Sequence, residues 1–258
     1  MEISAAGKTA VNRPSFPLLC YRELLEKMEK TDDSGIVYPE SDGKPVGETE
    51  AHVMATFHLY DFLKFFFKNA HDVYTVAAML MFYEKGNPKA FKVPDVMVVK
   101  GVGKHLRRNF KLWKEKAIPT VIFEITSKSS VAEDISKTGL YANLGVKEYF
   151  LFDPLDEYLE EGFTGFRLDG LMFTPLAPEA DGSFFSAELG LILKREGNLV
   201  RVIDPKNGRA IPTLTEAIGM IEEASKAREG FRGVKEVFRK SACLAAKQRE
   251  MGIDPDSV

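Results

Sequence analysis

Three short runs rich in valine, isoleucine and phenylalanine, Val73–Tyr83, Val93–Val99 and Thr120–Thr126, lie between two stretches of helical periodicity. Each run is β-branched and bounded by Gly or Pro, so each reads as a strand. Upstream, Glu48–Asn69 sets Val53, Phe57, Tyr60, Leu63 and Phe67 at spacings of three and four, with Phe62 and Phe66 widening the stripe. That is the pattern of a heavily buried helix. Downstream, Asp134–Leu144 reads as a helix ending at Gly145, the usual place for a left-handed cap. Glu148–Phe152 then reads as a further strand, stopped by Asp153-Pro154. Helix, strands, helix, strand is the order of an α/β core around a mixed sheet.

The remainder divides by pattern. From about residue 158 to 212, short runs (Gly165–Leu168, Leu171–Leu176, Leu189–Leu193, Leu199–Ile203) alternate with Gly-containing turns, as in a series of hairpins. From Leu214 the chain is charged and helical, with an imperfect heptad of Ile221, Ala224, Phe231, Phe238, Ala242 and Ala245 interrupted by Gly230 and Gly233. This tail is expected to bury Ile221, Phe231, Phe238 and Leu244 against the body or another subunit. Near the N-terminus, Tyr21–Lys30 reads as a short helix carrying Leu24, Leu25 and Met28. The expected division is an N-terminal extension (1–36), a core domain (37–212) and a helical tail (213–258).

Two carboxylates fall within apolar runs, Asp95 in Val93–Val99 and Glu124 in Thr120–Thr126. A carboxylate in an apolar strand is costly without a partner, and two on neighbouring strands repel unless a cation lies between them. Mg²⁺ (or Mn²⁺) prefers such an oxygen-only set, and the Ile125 carbonyl is a natural third ligand. Strand alternation puts Glu124, Thr126 and Lys128 on one face. On the next helix Asp134, Lys137 and Tyr141 share a face, so Lys128 or Lys137 can bring a positive charge to the site. The competing reading makes Asp95 and Glu124 strand-end carboxylates paired with Lys or Arg, and Asp134 an ion-pair partner of Lys137. Tyr141 reads as a core residue and His52 as a structural histidine on an apolar helix.

Charge and cysteine content narrow the classes. A net charge of −3 argues against a general nucleic-acid coat protein but leaves room for an enzyme with a local basic groove. Two cysteines, Cys20 and Cys243, without a CxxC pair exclude a disulfide scaffold and a zinc site and suit a reducing compartment. The N-terminus lacks a signal pattern, and the longest apolar run falls short of the ~20 residues that span a bilayer. A cytoplasmic protein without membrane contact is expected. Lys100–Lys116 holds seven Lys or Arg and one acid, Glu115. It reads either as a solvated linker or as a surface for DNA phosphates.

Phe91–Val96 followed by Pro119–Ser130 resembles the Uma2 family (DUF820-like), a group of restriction-endonuclease-like proteins. Asp134–Lys137 with Tyr141, Gly145–Pro154, Ser41–Pro45 with Glu48–His52, and Leu244–Lys247 with Gly252–Pro255 extend the likeness in order and spacing. The resemblance implies a restriction-endonuclease-like core of the PD-(D/E)XK class: a mixed central sheet flanked by helices, with added hairpins and a helical tail. It implies a Mg²⁺-dependent endonuclease acting on DNA, with Pro94-Asp95 as the PD element and Glu124 as the second acid. The class lysine is replaced by Thr126. Lys137 is the preferred substitute and Lys128 the next, and Glu48 or Glu50 is a further acid near the metal. The alternative is a catalytically impaired member that binds nucleic acid or a protein partner. A homo-oligomer through the C-terminal helix is compatible with either.

Overall fold

The computed structural model describes residues 35–39, 48–126 and 131–250. The expected Tyr21–Lys30 helix, the Ser41–Pro45 motif, Lys128 and the Gly252–Pro255 ending lie outside the described residues. Two compact units are present, residues 1–211 and 212–258.

In the larger unit, helix α1 (Glu50–Phe66) is capped by Thr49, whose side chain accepts from the His52 N–H, and ends in a 3-10 turn at Phe67–Asn69. The main sheet has six strands in the order β1 (Val73–Ala77), β4 (Val96–Lys100), β6 (Val121–Ile125), β7 (Glu148–Phe152), β8 (Phe163–Asp169), β9 (Met172–Pro175). Within this sheet, among the described residues, only β6 and β7 run parallel. A parallel pair needs a crossover, and helix α3 (Val131–Leu144) supplies it. β2 (Met81–Phe82), β3 (Phe91–Lys92) and β5 (Phe110–Lys111) form a small sheet, and the short helix α2 (Leu112–Glu115) follows β5. A second sheet joins β10 (Phe184–Ser186), β11 (Leu191–Glu196), β12 (Leu199–Asp204) and β13 (Arg209–Ala210).

Strand alternation divides the core between the two faces of the main sheet. Val96, Val98, Val121, Phe123, Ile125, Phe150 and Phe152 pack with Leu59, Phe62 and Leu63 of α1 and with Leu191, Leu193, Val200 and Val202 of the second sheet. Met97, Val99, Ile122, Tyr149 and Leu151 pack on the other face with Tyr141 and Leu144 of α3. Burial on both faces is why these strands read as continuous apolar runs. Glu124 shares the phase of Ile122 and therefore meets α3.

Several expectations need correction. The run Val73–Tyr83 is two strands in two sheets, divided at Ala78, which takes φ 48°. β4 starts at Val96, so Asp95 stands at the strand's entrance; Pro94 lacks the N–H needed for a ladder. The buried stripe of α1 is His52, Ala55, Thr56, Leu59, Phe62 and Leu63, while Phe57 is 59% exposed. Phe62 and Leu63 are buried as the periodicity expects, and Tyr60, Phe66 and Phe67 pack against the same core from partly buried positions. The basic segment is a solvated linker only in part: residues 101–109 have no helix or strand and, Val102 apart, are mostly exposed, whereas residues 110–115 form β5 and α2 with Phe110 and Leu112 buried. Helix α4 (Leu214–Glu250) runs unbroken through Gly230 and Gly233, as expected of a helical tail, and Ile221 is 66% exposed in the single chain. The side chains of Phe231, Phe238 and Leu244 lie outside the described ones. Among the described residues, no helix is long and apolar enough to cross a membrane.

Candidate metal and catalytic site

β4 pairs with β6 through Val96↔Phe123 and Met97↔Ile122. Continuing that register by one residue sets Asp95 opposite Glu124. Asp95 is tied down from two sides. The Ile125 N–H donates to Asp95 Oδ2 at 2.7 Å, and His52 Nε2 lies 3.4 Å from Asp95 Oδ1. His52 is in the first turn of α1, and its Nδ1 is 4.0 Å from the carboxylate of Glu48, which is partly exposed. The Asp95 side chain keeps 20% of its surface accessible.

Glu124 is more deeply enclosed, at 1% exposure. The Tyr141 hydroxyl donates to its Oε1 at 2.7 Å, and Lys137 Nζ is 3.2 Å from its Oε2. Lys137 also donates to Asp134 Oδ1 at 2.9 Å. Tyr149 on β7 donates to the Asp134 main-chain carbonyl at 2.8 Å, which pins the first turn of α3 to the sheet. One face of α3 thus delivers Asp134, Lys137 and Tyr141 together, as their spacing of three and four requires.

The electrostatics follow from burial. Removal from water pushes the Glu124 carboxyl up to about 8, and the nearby charges of Asp95 and Asp134 add to that, against the opposing pull of Lys137 and Tyr141. Burial works to lower the Lys137 pKa, but Glu124 and Asp134 outweigh it and keep the ammonium charged above its ordinary range. Burial also raises the Tyr141 hydroxyl, with the Glu124 charge acting in the same direction. For His52, burial lowers the pKa, and the hydrogen bond and charge of Asp95 more than reverse it. Among the described residues, no three His, Cys, Asp or Glu side chains gather as a ready-made metal cage. A cation here would draw on two carboxylates, a main-chain carbonyl and water.

The expected residues fall as follows. Asp95, Glu124 and Lys137 share the site, Ile125 touches it through its N–H, and Glu48 reaches it through His52. Glu50 is exposed in the first turn of α1. Thr126, where the PD-(D/E)XK pattern has its lysine, is 2% exposed, and its Oγ1 has no hydrogen-bond partner among the described residues. His52 and Tyr141, read from sequence as structural, both contact the acids. The available signals were the four-residue steps Glu48–His52 and Lys137–Tyr141.

The Uma2 family model, described as "Putative restriction endonuclease", matches residues 22–198, more than half of the chain. The chain belongs to the Uma2 family. A solved structure described as a "putative nuclease belonging to DUF820", from Anabaena variabilis ATCC 29413, is similar to this Uma2 chain at 15% identity and a TM-score of 0.43. The similarity covers 66% of the present chain and 90% of that one. No curated protein matches this Uma2 member.

Proposed function

We propose that this Uma2 protein is a divalent-metal-dependent endonuclease that hydrolyses DNA phosphodiester bonds. The observation that carries the reading is the placement of Lys137 Nζ 3.2 Å from Glu124, with Asp95 opposite Glu124 in strand register. Asp95, Glu124 and the Ile125 carbonyl would hold Mg²⁺ (or Mn²⁺). Their fit rests on donor chemistry: the two carboxyl groups and the carbonyl are hard oxygens. The cation, when bound, supplies Lewis acidity at the phosphate and makes water a better nucleophile near neutral pH.

The chain's own residues do the rest. Ile125 N–H and His52 hold the two Asp95 oxygens apart, which fixes the direction of the carboxylate. Tyr141 orients Glu124 in the same way. Lys137, charged at any working pH, stabilises the negative charge that builds on the attacked phosphate. It takes the part of the lysine absent at Thr126, while Glu48 acts on Asp95 through His52. The cytoplasm is the compartment proposed, on the low cysteine content. A homo-oligomer through α4 is supported by the exposure of Leu214, Ile218 and Ile221 on one helical face.

The test is incubation of supercoiled and single-stranded DNA with the protein in Mg²⁺ or Mn²⁺, beside Asp95→Ala and Glu124→Gln. Metal-dependent cleavage by wild type alone is expected. Binding without cleavage under any metal would favour the second reading, a nuclease fold that holds nucleic acid or a protein partner without cutting; Thr126 in the lysine position speaks for it.

A further inference from the structure

A cavity of about 290 Å³ lies along β1, the outer strand of the main sheet. Tyr60 and Lys64 of α1, Thr75 and Val76 of β1, and Lys104 and Arg107 of the basic segment line it. It brings three cations together with no carboxylate in its lining, on a chain whose net charge is −3. The cations are held in place. Lys64 Nζ donates to the Tyr60 hydroxyl at 2.7 Å, and Lys104 Nζ donates to the Phe67 and Lys68 carbonyls where α1 ends. Arg107 sits 4.3 Å over the Tyr74 ring and is neutralised by Glu115 at 2.8 Å, which leaves the two lysines as the charge presented to a ligand. The Thr75 hydroxyl is buried without a hydrogen-bond partner among the described residues.

The direction of this groove ties it to the site. β1 pairs with β4 from Val73↔Lys100 to Ala77↔Val96, and the next N–H, that of Ala78, donates to the Asp95 carbonyl at 3.1 Å. Met79, one residue further, still lines the cavity. At ~3.3 Å per residue, Thr75 is about 10 Å along the strand from that contact.

We propose that this groove is the track for the phosphate backbone of the DNA strand engaged at Asp95 and Glu124. The proposal rests on the nuclease reading and names how the substrate is held. Flanking phosphates would lie against Lys64 and Lys104. A peptide added to the outer edge of β1 would gain main-chain hydrogen bonds, but two lysines with no carboxylate beside them in the lining favour a polyanion.

Short fluorescein-labelled DNA oligonucleotides, single-stranded and duplex, test this by anisotropy across a NaCl series in EDTA. Each lost phosphate contact removes about 0.7–0.9 from the slope of log affinity against log salt. The pair Lys64→Gln and Lys104→Gln should lower the slope by roughly 1.5, while Lys64→Arg with Lys104→Arg keeps the wild-type slope. If the double Gln variant does not fold, Lys64→Gln alone should lower the slope by about half as much. Wild-type binding with an unchanged slope in the Gln variants overturns the groove and leaves the nuclease reading standing. Failure of wild type to bind DNA at any salt overturns both.

Discussion

The Tyr141 hydroxyl donates a 2.7 Å hydrogen bond to Glu124 Oε1, and both side chains are almost wholly shielded from solvent. Tyr141→Phe would keep the ring and strand a buried carboxyl oxygen. We expect a loss of about 1–3 kcal/mol in stability, read from urea denaturation in EDTA. An unchanged midpoint would mean that the hydroxyl contributes nothing to holding Glu124.

Lys137→Ala is expected to lower DNA cleavage by ~10²–10³-fold. It should not leave the fold untouched, because it removes the cation from buried Asp134 and a hydrogen-bond donor from buried Glu124. Breaking a buried ion pair on one side typically costs about 3–5 kcal/mol. Lys137→Arg is the informative companion, since it restores charge with altered geometry and should recover stability before activity. Full activity of a folded Lys137→Ala protein would remove this lysine from the chemistry.

Glu124 gives stability a defined pH dependence. In the unfolded chain its carboxyl releases a proton near its ordinary 4.5; in the folded protein it holds the proton to about 8. Between those values the folded state binds more protons, so stability falls as pH rises, by at most about 1.4 kcal/mol per pH unit for one group. His52, also raised, adds a loss of the same sign only above 6.5. The window from 4.5 to 6.5 therefore separates the two groups. Melting temperature in EDTA should decline across that window in wild type, and the decline should flatten in Glu124→Gln.

Metal binding should depend on both acids. Calorimetry with Mn²⁺ is expected to show binding to wild type and a marked loss in Asp95→Ala and Glu124→Gln, with protons released as the cation takes up the Glu124 carboxylate. Equal affinity in the Glu124→Gln protein would remove Glu124 from the ligand set.

Thr126→Val replaces a buried hydroxyl that lacks a partner among the described residues with a methyl of the same shape. Stability should rise, or hold, by up to about 1 kcal/mol. A simultaneous loss of metal-dependent cleavage would give the hydroxyl a part in the site.

Much of this was legible in the sequence where one physical rule dominated. β7 was expected at Glu148–Phe152 and is found there, because five buried residues end at Asp153-Pro154. The shared face of Asp134, Lys137 and Tyr141 followed from helical geometry alone. The break at Ala78 was not legible: alanine gives no turn signal, and its left-handed backbone is imposed by the two sheets that claim the halves of the run. The contact of His52 with Asp95 was hidden for a related reason. It joins a helix start to a strand start through tertiary packing, and neither local pattern encodes the other. The basic segment was half legible: residues 101–109 form the exposed stretch that charge density suggests, while Phe110 and Leu112 bury the part that follows.

The crossover from β6 through α3 to β7 makes half of the site a local event. Glu124 and Tyr141 are 17 residues apart, whereas the Asp95–Ile125 bond joins residues 30 apart and His52 must come from further still. Short loops close at a smaller entropic cost. In refolding followed by pulsed hydrogen exchange, α3 should gain protection before the Ile125 amide, whose partner is Asp95. The two acids would then meet late, and a chain that had built α3 and the central strands would still lack the site until α1 docked.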